Sequence, residues 1–172
     1  MIFFNSFLSE YESIKEEIDE SISNVLNSGW FVLGKEVEKL EENFSNYLGV
    51  NYSIGVASGM DAITISLMAL GIGNGDEVIT TNLTAYPTIT GIIRSGANPI
   101  VVDVKLEDGL IDQSKIENKI SKKTKAIIPV HLYGQSCDYD TISNICNQNN
   151  VIVIEDAAEA LGALYKDQKC GS

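Results

Sequence analysis

Arginine, histidine and tryptophan each occur once in the 172-residue chain, as Arg94, His131 and Trp30, and proline occurs three times. Carboxylates and phosphates are usually gripped by guanidinium forks, of which the chain has one. A single imidazole with no ligand spacing around it argues against a histidine-built metal site. Positive charge of any kind is scarce, with 12 Lys and Arg against 24 Asp and Glu and a net charge of −12. Residues 1–50 hold ten acids and three bases and residues 51–172 hold fourteen and nine, so neither part is basic. Nucleic acid and anionic membranes need clustered cations to displace counterions, and neither is expected as a partner. Any anion site must rely mainly on backbone amides, hydroxyls or parts not present in residues 1–172. No stretch is long and apolar enough to span a bilayer. The opening Met1-Ile2-Phe3-Phe4-Asn5 has no positive flank and too short an apolar run for a signal peptide, so the expected compartment is the cytoplasm. The three cysteines, Cys137, Cys146 and Cys170, match no zinc or redox spacing and are expected as reduced structural thiols.

What is present is enough apolar sequence for a core: 44% hydrophobic and 21% charged residues predict a folded globule rather than a disordered chain. Ile14, Ile18, Ile22 and Val25 form a helical stripe within Ser9 to Ser28, with carboxylates on the other face. A second helix repeats the period through Val37, Leu40, Phe44 and Leu48 and stops at Gly49. From Tyr52 onward short β-rich runs alternate with helical ones. Predicted strands are Tyr52 to Val56, Glu77 to Thr81, Pro99 to Asp103, Lys125 to Val130 and Val151 to Glu155. Predicted helices are Met60 to Leu70, Pro87 to Ser95, Gln113 to Ile120 and Tyr139 to Asn147. Near-continuous Val and Ile strands, each followed by a helix, predict an α/β fold with a mostly parallel sheet covered on both faces. On such sheets, ligands bind outside the carboxyl ends of the strands.

The loops at those ends hold the candidate chemistry. Ala57-Ser58-Gly59-Met60-Asp61 joins a strand to a helix N-terminus, where unpaired amides receive either an anion or only a capping side chain, with Ser58 or Asp61 near the cap. Thr84-Ala85-Tyr86-Pro87-Thr88 brings an aromatic ring and hydroxyls, for stacking or for packing. His131-Leu132-Tyr133-Gly134-Gln135 follows another strand, and its histidine is read as a hydrogen-bonded structural residue. Glu155 and Asp156 end a buried strand, where a carboxylate caps a helix, binds a metal or pairs with a cationic ring nitrogen. Gly71-Ile72-Gly73-Asn74-Gly75-Asp76 follows a helix and precedes a strand, the reverse of a dinucleotide fingerprint, which argues against a nucleotide-dependent oxidoreductase.

Taken together, these segments resemble the DegT family of nucleotide-sugar aminotransferases, fold type I enzymes that use pyridoxal 5'-phosphate. The resemblance runs from Ser28-Gly29-Trp30-Phe31-Val32-Leu33-Gly34 to the end of the chain. It is strongest at Gly55 to Ala62, Gly73 to Ile79, Lys123 to Gln135 and Ile154 to Gly162. It implies the three-layer large domain of those enzymes, here incomplete. It further implies that Gly59, Met60 and Asp61 present amides to the cofactor phosphate, that Asp156 pairs with the pyridine nitrogen, that Tyr86 lies over the ring, and that Glu159 lies near the cofactor hydroxyl. In many relatives the aromatic stands one position earlier, where this chain has Ala85.

The resemblance also implies a Schiff-base lysine, expected beyond Ser172, so that residues 1–172 read as the N-terminal part of the cofactor-binding domain without the small C-terminal domain. No catalytic residue and no metal ligand is assigned within the chain, and Lys166 and Lys169 read as surface amines. The implied activity moves an amino group from an amino acid, glutamate, to a keto group on a nucleotide-linked deoxysugar, with a dTDP-linked 3-keto sugar favoured, in cell-surface polysaccharide synthesis. A homodimer is implied for the full-length protein. The alternative is a non-catalytic sensor or partner module of the same fold that lacks the lysine.

Overall fold

A computed structural model describes residues 6–172, and the opening pentapeptide, on which the signal-peptide reading falls, lies outside them. The chain divides into two units, at the junction of Gly55 and Val56. The first holds α1 (Leu8–Ser13), α2 (Lys15–Ser28) and α3 (Lys35–Leu48). The single helix expected from Ser9 to Ser28 breaks at Ile14 (φ −126°, ψ 16°). Just before the break, the Ser13 hydroxyl donates to the Glu10 carbonyl at 2.7 Å, a local bond that competes with the helical ladder. Glycines in left-handed conformation end the other two helices, Gly29 at φ 67° and Gly49 at φ 79°. No residue of these three helices is buried, and Ile22, Leu26 and Leu40 remain exposed. The predicted strand Tyr52 to Val56 does not form. Its alternating Tyr52, Ile54 and Val56 are exposed, and the Gly55 amide donates to Glu41 Oε1 at 2.7 Å, where a neighbouring strand would have offered a carbonyl.

The second unit begins with α4 (Gly59–Ala69) and continues through β1 (Glu77–Thr81), α5 (Tyr86–Ser95), β2 (Asn98–Val102), β3 (Thr124–Ile128), α6 (Tyr139–Asn149) and β4 (Ile152–Val153). A short antiparallel hairpin, β5 (Leu164–Tyr165) with β6 (Gln168–Lys169), follows. Among the described residues β1 to β4 make one parallel sheet in the order β2-β1-β3-β4, with Ile79 opposite Ile100 on one side and Ile127 on the other. Alternation along the strands sends residues to both faces. Val78, Ala126 and Ile128 pack with Ile63, Leu67 and Ile92 of α4 and α5, whereas Ile79, Ile127 and Val102 pack with Ile142, Ile145 and Cys146 of α6. Each such fully buried Ile or Leu contributes about 1.5–3 kcal/mol. The result is helix, sheet and helix in three layers.

Two predicted elements differ. Residues 113–120 form two short 3-10 turns, Gln113–Lys115 and Glu117–Lys119, because only Ile116 and Ile120 are apolar there and Asp112 bonds the Ser114 amide instead of starting a longer helix. The last strand ladders over two residues only, yet its backbone keeps bonding to the β3 segment through Ile154 N–H to Ile127 O (3.0 Å) and Asp156 N–H to Pro129 O (2.9 Å). That irregular extension sets Asp156 beside Val130.

Candidate functional site

The loops after β1 and β3, the end of the β4 extension and the start of α4 surround a cavity of about 270 Å³. Its lining brings together Gly59, Met60, Tyr86, Asp156 and Glu159, with Ser58, Thr84, Ala85 and Thr88 between them and Ile63, Val130 and Leu132 as an apolar wall. Asp61 is not in that lining. Ser58 is extended (φ −162°, ψ 163°), and its Oγ accepts the Asp61 amide at 3.1 Å and donates to Asp61 Oδ2 at 2.9 Å. Asp61 Oδ1 accepts from Arg94 Nη1 at 2.9 Å. Of the three amides expected at this helix start, that of Asp61 is taken by the Ser58 cap. Gly59 and Met60 keep N–H groups without a partner among the described residues, at the positive end of the α4 dipole. Nothing lies within 4 Å of where a Gly59 Cβ would stand, so open space borders these amides.

Asp156 is fixed through its backbone and its side chain. Its amide and carbonyl bond to Pro129 O and His131 N at 2.9 and 3.0 Å. Its carboxylate accepts Thr88 Oγ1 on Oδ2 at 2.8 Å and the Ala158 amide on Oδ1 at 3.3 Å, leaving acceptor capacity on both oxygens. The neighbouring acid has a different task. Glu155 Oε2 accepts from His131 Nε2 at 2.7 Å and from the Gly171 amide at 3.1 Å. His131 Nδ1 accepts the Cys137 amide at 3.1 Å, so Nε2 carries the proton and the buried ring acts as a strut between two loops. Glu159 Oε2 accepts the Tyr133 amide at 2.8 Å, and Tyr133 sits in left-handed conformation at φ 55°. Tyr86 opens α5 and is 76% exposed at the rim.

Thr88 is a polar lining residue to which the sequence assigned no separate role; its signal is the spacing from Thr84, four residues earlier at a helix entry. The cysteines are free and buried, and burial pushes the Cys137 thiol up to about 12 and Cys146 up to about 11, so neither is a nucleophile at neutral pH. Lys166 is an exposed amine paired with Asp140, as expected, while Lys169 is half-buried in β6. Among the described residues no three His, Cys, Asp or Glu side chains gather to hold a metal ion, and no helix is long and apolar enough to cross a membrane. A cavity of about 430 Å³ lies in the first unit beside Trp30 and Phe31, but its one carboxylate, Glu36, is already paired with Lys39 at 2.7 Å. Among the described residues the cavity at Asp156 combines free helix amides with a positioned carboxylate across an apolar wall. That arrangement suits a ligand with an anionic group at the helix amides and a cationic hydrogen-bond donor at the carboxylate.

Residues 12–172 match the DegT/DnrJ/EryC1/StrS aminotransferase family. The chain is 46% identical over 92% of its length to the dTDP-3-amino-3,6-dideoxy-alpha-D-galactopyranose transaminase of Aneurinibacillus thermoaerophilus, covering 44% of that protein. It is 42% identical over 98% of its length to the UDP-2-acetamido-2-deoxy-3-oxo-D-glucuronate aminotransferase of Pseudomonas aeruginosa, covering 47% of it. The chain thus spans a little under half the length of these relatives. Among solved structures, Streptomyces venezuelae DesV in complex with a ketimine intermediate superposes with a TM-score of 0.96 at 36% identity, over 99% of this chain and 46% of that one. NtdA of Bacillus subtilis with bound cofactor PMP gives 0.84 at 41% identity, over 87% and 34%. The three-layer fold is that of the fold type I aminotransferases.

Proposed function

The chain belongs to the DegT/DnrJ/EryC1/StrS aminotransferase family, and from that membership we propose that the whole protein transfers an amino group from an amino acid, glutamate, to a keto sugar linked to a nucleoside diphosphate. The observation that carries this reading is the cavity in which free α4 amides and the Asp156 carboxylate meet. Pyridoxal 5'-phosphate fits the residues present: Gly59 and Met60 amides for the phosphate, Asp156 for the ring nitrogen, Tyr86 for the ring face, and Glu159 on the side of the ring hydroxyl. When bound, the cofactor supplies an electron sink for the carbanion formed as the amino group is exchanged. Asp156 holds the proton on the ring nitrogen that makes this withdrawal effective. Ile63, Val130 and Leu132 keep water from the ring, and the helix amides replace the cations that the chain lacks.

The names of the two curated relatives place nitrogen or a keto group on carbon 3 of the sugar, one linked to dTDP and one to UDP, which supports a 3-keto sugar substrate. The dTDP-linked deoxysugar is the form we propose, in cell-surface polysaccharide synthesis in the cytoplasm. We assign residues 1–172 to the N-terminal part of the cofactor-binding domain. The proton-moving lysine and the small C-terminal domain belong to the remainder of the length seen in relatives, and a homodimer completes each site.

The test is spectroscopic. The full-length protein is titrated with pyridoxal 5'-phosphate, then with glutamate, then with the dTDP-3-keto sugar. A visible band that glutamate removes and the sugar restores is the expected outcome, with Asp156→Asn lowering kcat on the order of 100- to 1,000-fold. A band that glutamate leaves unchanged would identify a non-catalytic module instead.

A further inference from the structure

The Asp156 carboxylate is held by a directed chain of hydroxyls. Thr88 Oγ1 stands 2.8 Å from Asp156 Oδ2, and Thr84 Oγ1 stands 2.8 Å from Thr88 Oγ1. A hydroxyl has one proton, and an ionised carboxylate only accepts. Thr88 therefore donates to Asp156 and accepts from Thr84, so the chain runs in one sense toward the carboxylate. Thr88 is 2% exposed and Thr84 half-buried, which keeps water from replacing either bond. Thr88 is also held as a helical residue, its amide donating to the Ala85 carbonyl at 3.1 Å. Asp156 Oδ1 has the weaker engagement, the Ala158 amide at 3.3 Å.

We propose that Thr88 is a positioning residue for Asp156: its hydroxyl, oriented by Thr84, fixes the carboxylate torsion and leaves Oδ1 to meet the cationic N–H of a pyridine ring. The proposal rests on the reading of Asp156 as the partner of the cofactor ring nitrogen. Thr88→Val keeps the shape and removes the donor, whereas Thr88→Ser keeps the donor.

The full-length protein is loaded with pyridoxal 5'-phosphate carrying 15N in the ring. Three quantities are measured: the cofactor dissociation constant, the ring 15N chemical shift, and the melting temperature without cofactor. Thr88→Val is expected to weaken cofactor binding about tenfold, the worth of one hydrogen bond to a charged group, and to move the 15N shift toward that of an unprotonated ring. Thr88→Ser restores both. A role in packing alone would move the melting temperature and leave the 15N shift in place, and that result overturns the proposal, as does a Thr88→Val protein that binds and protonates the ring like the wild type. If Thr88→Val does not fold, Thr84→Val decides: a loss of about threefold with a smaller 15N shift in the same direction supports the chain, and no change in either refutes it. A wild type that binds no cofactor, or binds it with the ring unprotonated, overturns the reading of Asp156 itself, an outcome separate from failure at Thr88.

Discussion

The helices up to Gly55 and the α/β unit from Val56 carry apolar patterns of similar clarity, yet only the second converts its pattern into burial. In the second unit Leu67, Ile79, Ile92, Ile127 and Ile142 are fully buried on the two sides of the sheet. In the first, α1, α2 and α3 bury nothing. Periodicity reports which face of a helix seeks apolar surroundings; it does not report what provides them. The difference teaches that the second unit buries its apolar pattern within itself, whereas the stripes of the first and the Trp30 to Leu33 segment stay exposed.

Separation gives the harshest challenge to this contrast. Residues 56–172 alone are expected to melt cooperatively with native-like circular dichroism, and residues 1–55 alone to show no cooperative transition; a shared, broad transition for both pieces would erase the distinction. Point substitutions sharpen it next. Ile92→Ala, emptying a fully buried site, is expected to cost about 2–5 kcal/mol in urea unfolding, against a change within about 0.5 kcal/mol for Leu40→Ala on the exposed face of α3. Equal losses would show that Leu40 has a partner.

The smallest effect concerns helix starts. Asp138 caps α6 by accepting the Thr141 amide (3.3 Å) and hydroxyl (2.7 Å), together with Tyr165 Oη (3.1 Å) and Gln113 Nε2 (3.2 Å). Chiefly the Thr141 hydroxyl, against the opposing effect of burial, holds this carboxyl below its ordinary 3.8. A depressed folded-state pKa stabilises above the unfolded value and is lost as pH falls through the folded one. Asp138→Ala is therefore expected to cost about 1 kcal/mol at pH 7, and the gap from wild type to close as pH drops below 4. In the first unit α1, α2 and α3 start at Phe7, Ile14 and Gly34 without any side-chain cap, so among the described residues no comparable acid-labile cap is present there.

How much the sequence disclosed follows the same division. The sheet strands were legible because a parallel strand covered on both faces needs unbroken Val and Ile, and Glu77–Thr81 appears with its expected limits. Tyr52 to Val56 had the same alternation, but no ladder partner, which side-chain identity does not encode. Around the cavity, Tyr86 and Asp156 stand in loops where the strand pattern directs attention, Gly59 and Met60 at a helix start, and Glu159 is reached only through the family resemblance; the structure gathers the five along one lining. The engagement of the Asp61 amide by Ser58 depends on a rotamer, and the bond of Thr88 depends on a contact with a residue 68 positions later, and neither is written in local sequence.

That last separation bears on how the protein assembles during folding. The bond from Thr80 to the Ile128 carbonyl closes 48 residues of chain, and the one from Thr88 to Asp156 closes 68. Parallel pairing of this kind delays reward until long loops have closed. The amides at the start of α4 are available as soon as a local helix forms, whereas Asp156 reaches its place only when the β4 segment docks on β3. The cavity at Asp156 is thus expected to be among the last features of the second unit to form, and any ligand that needs both ends of it would select chains whose sheet has closed.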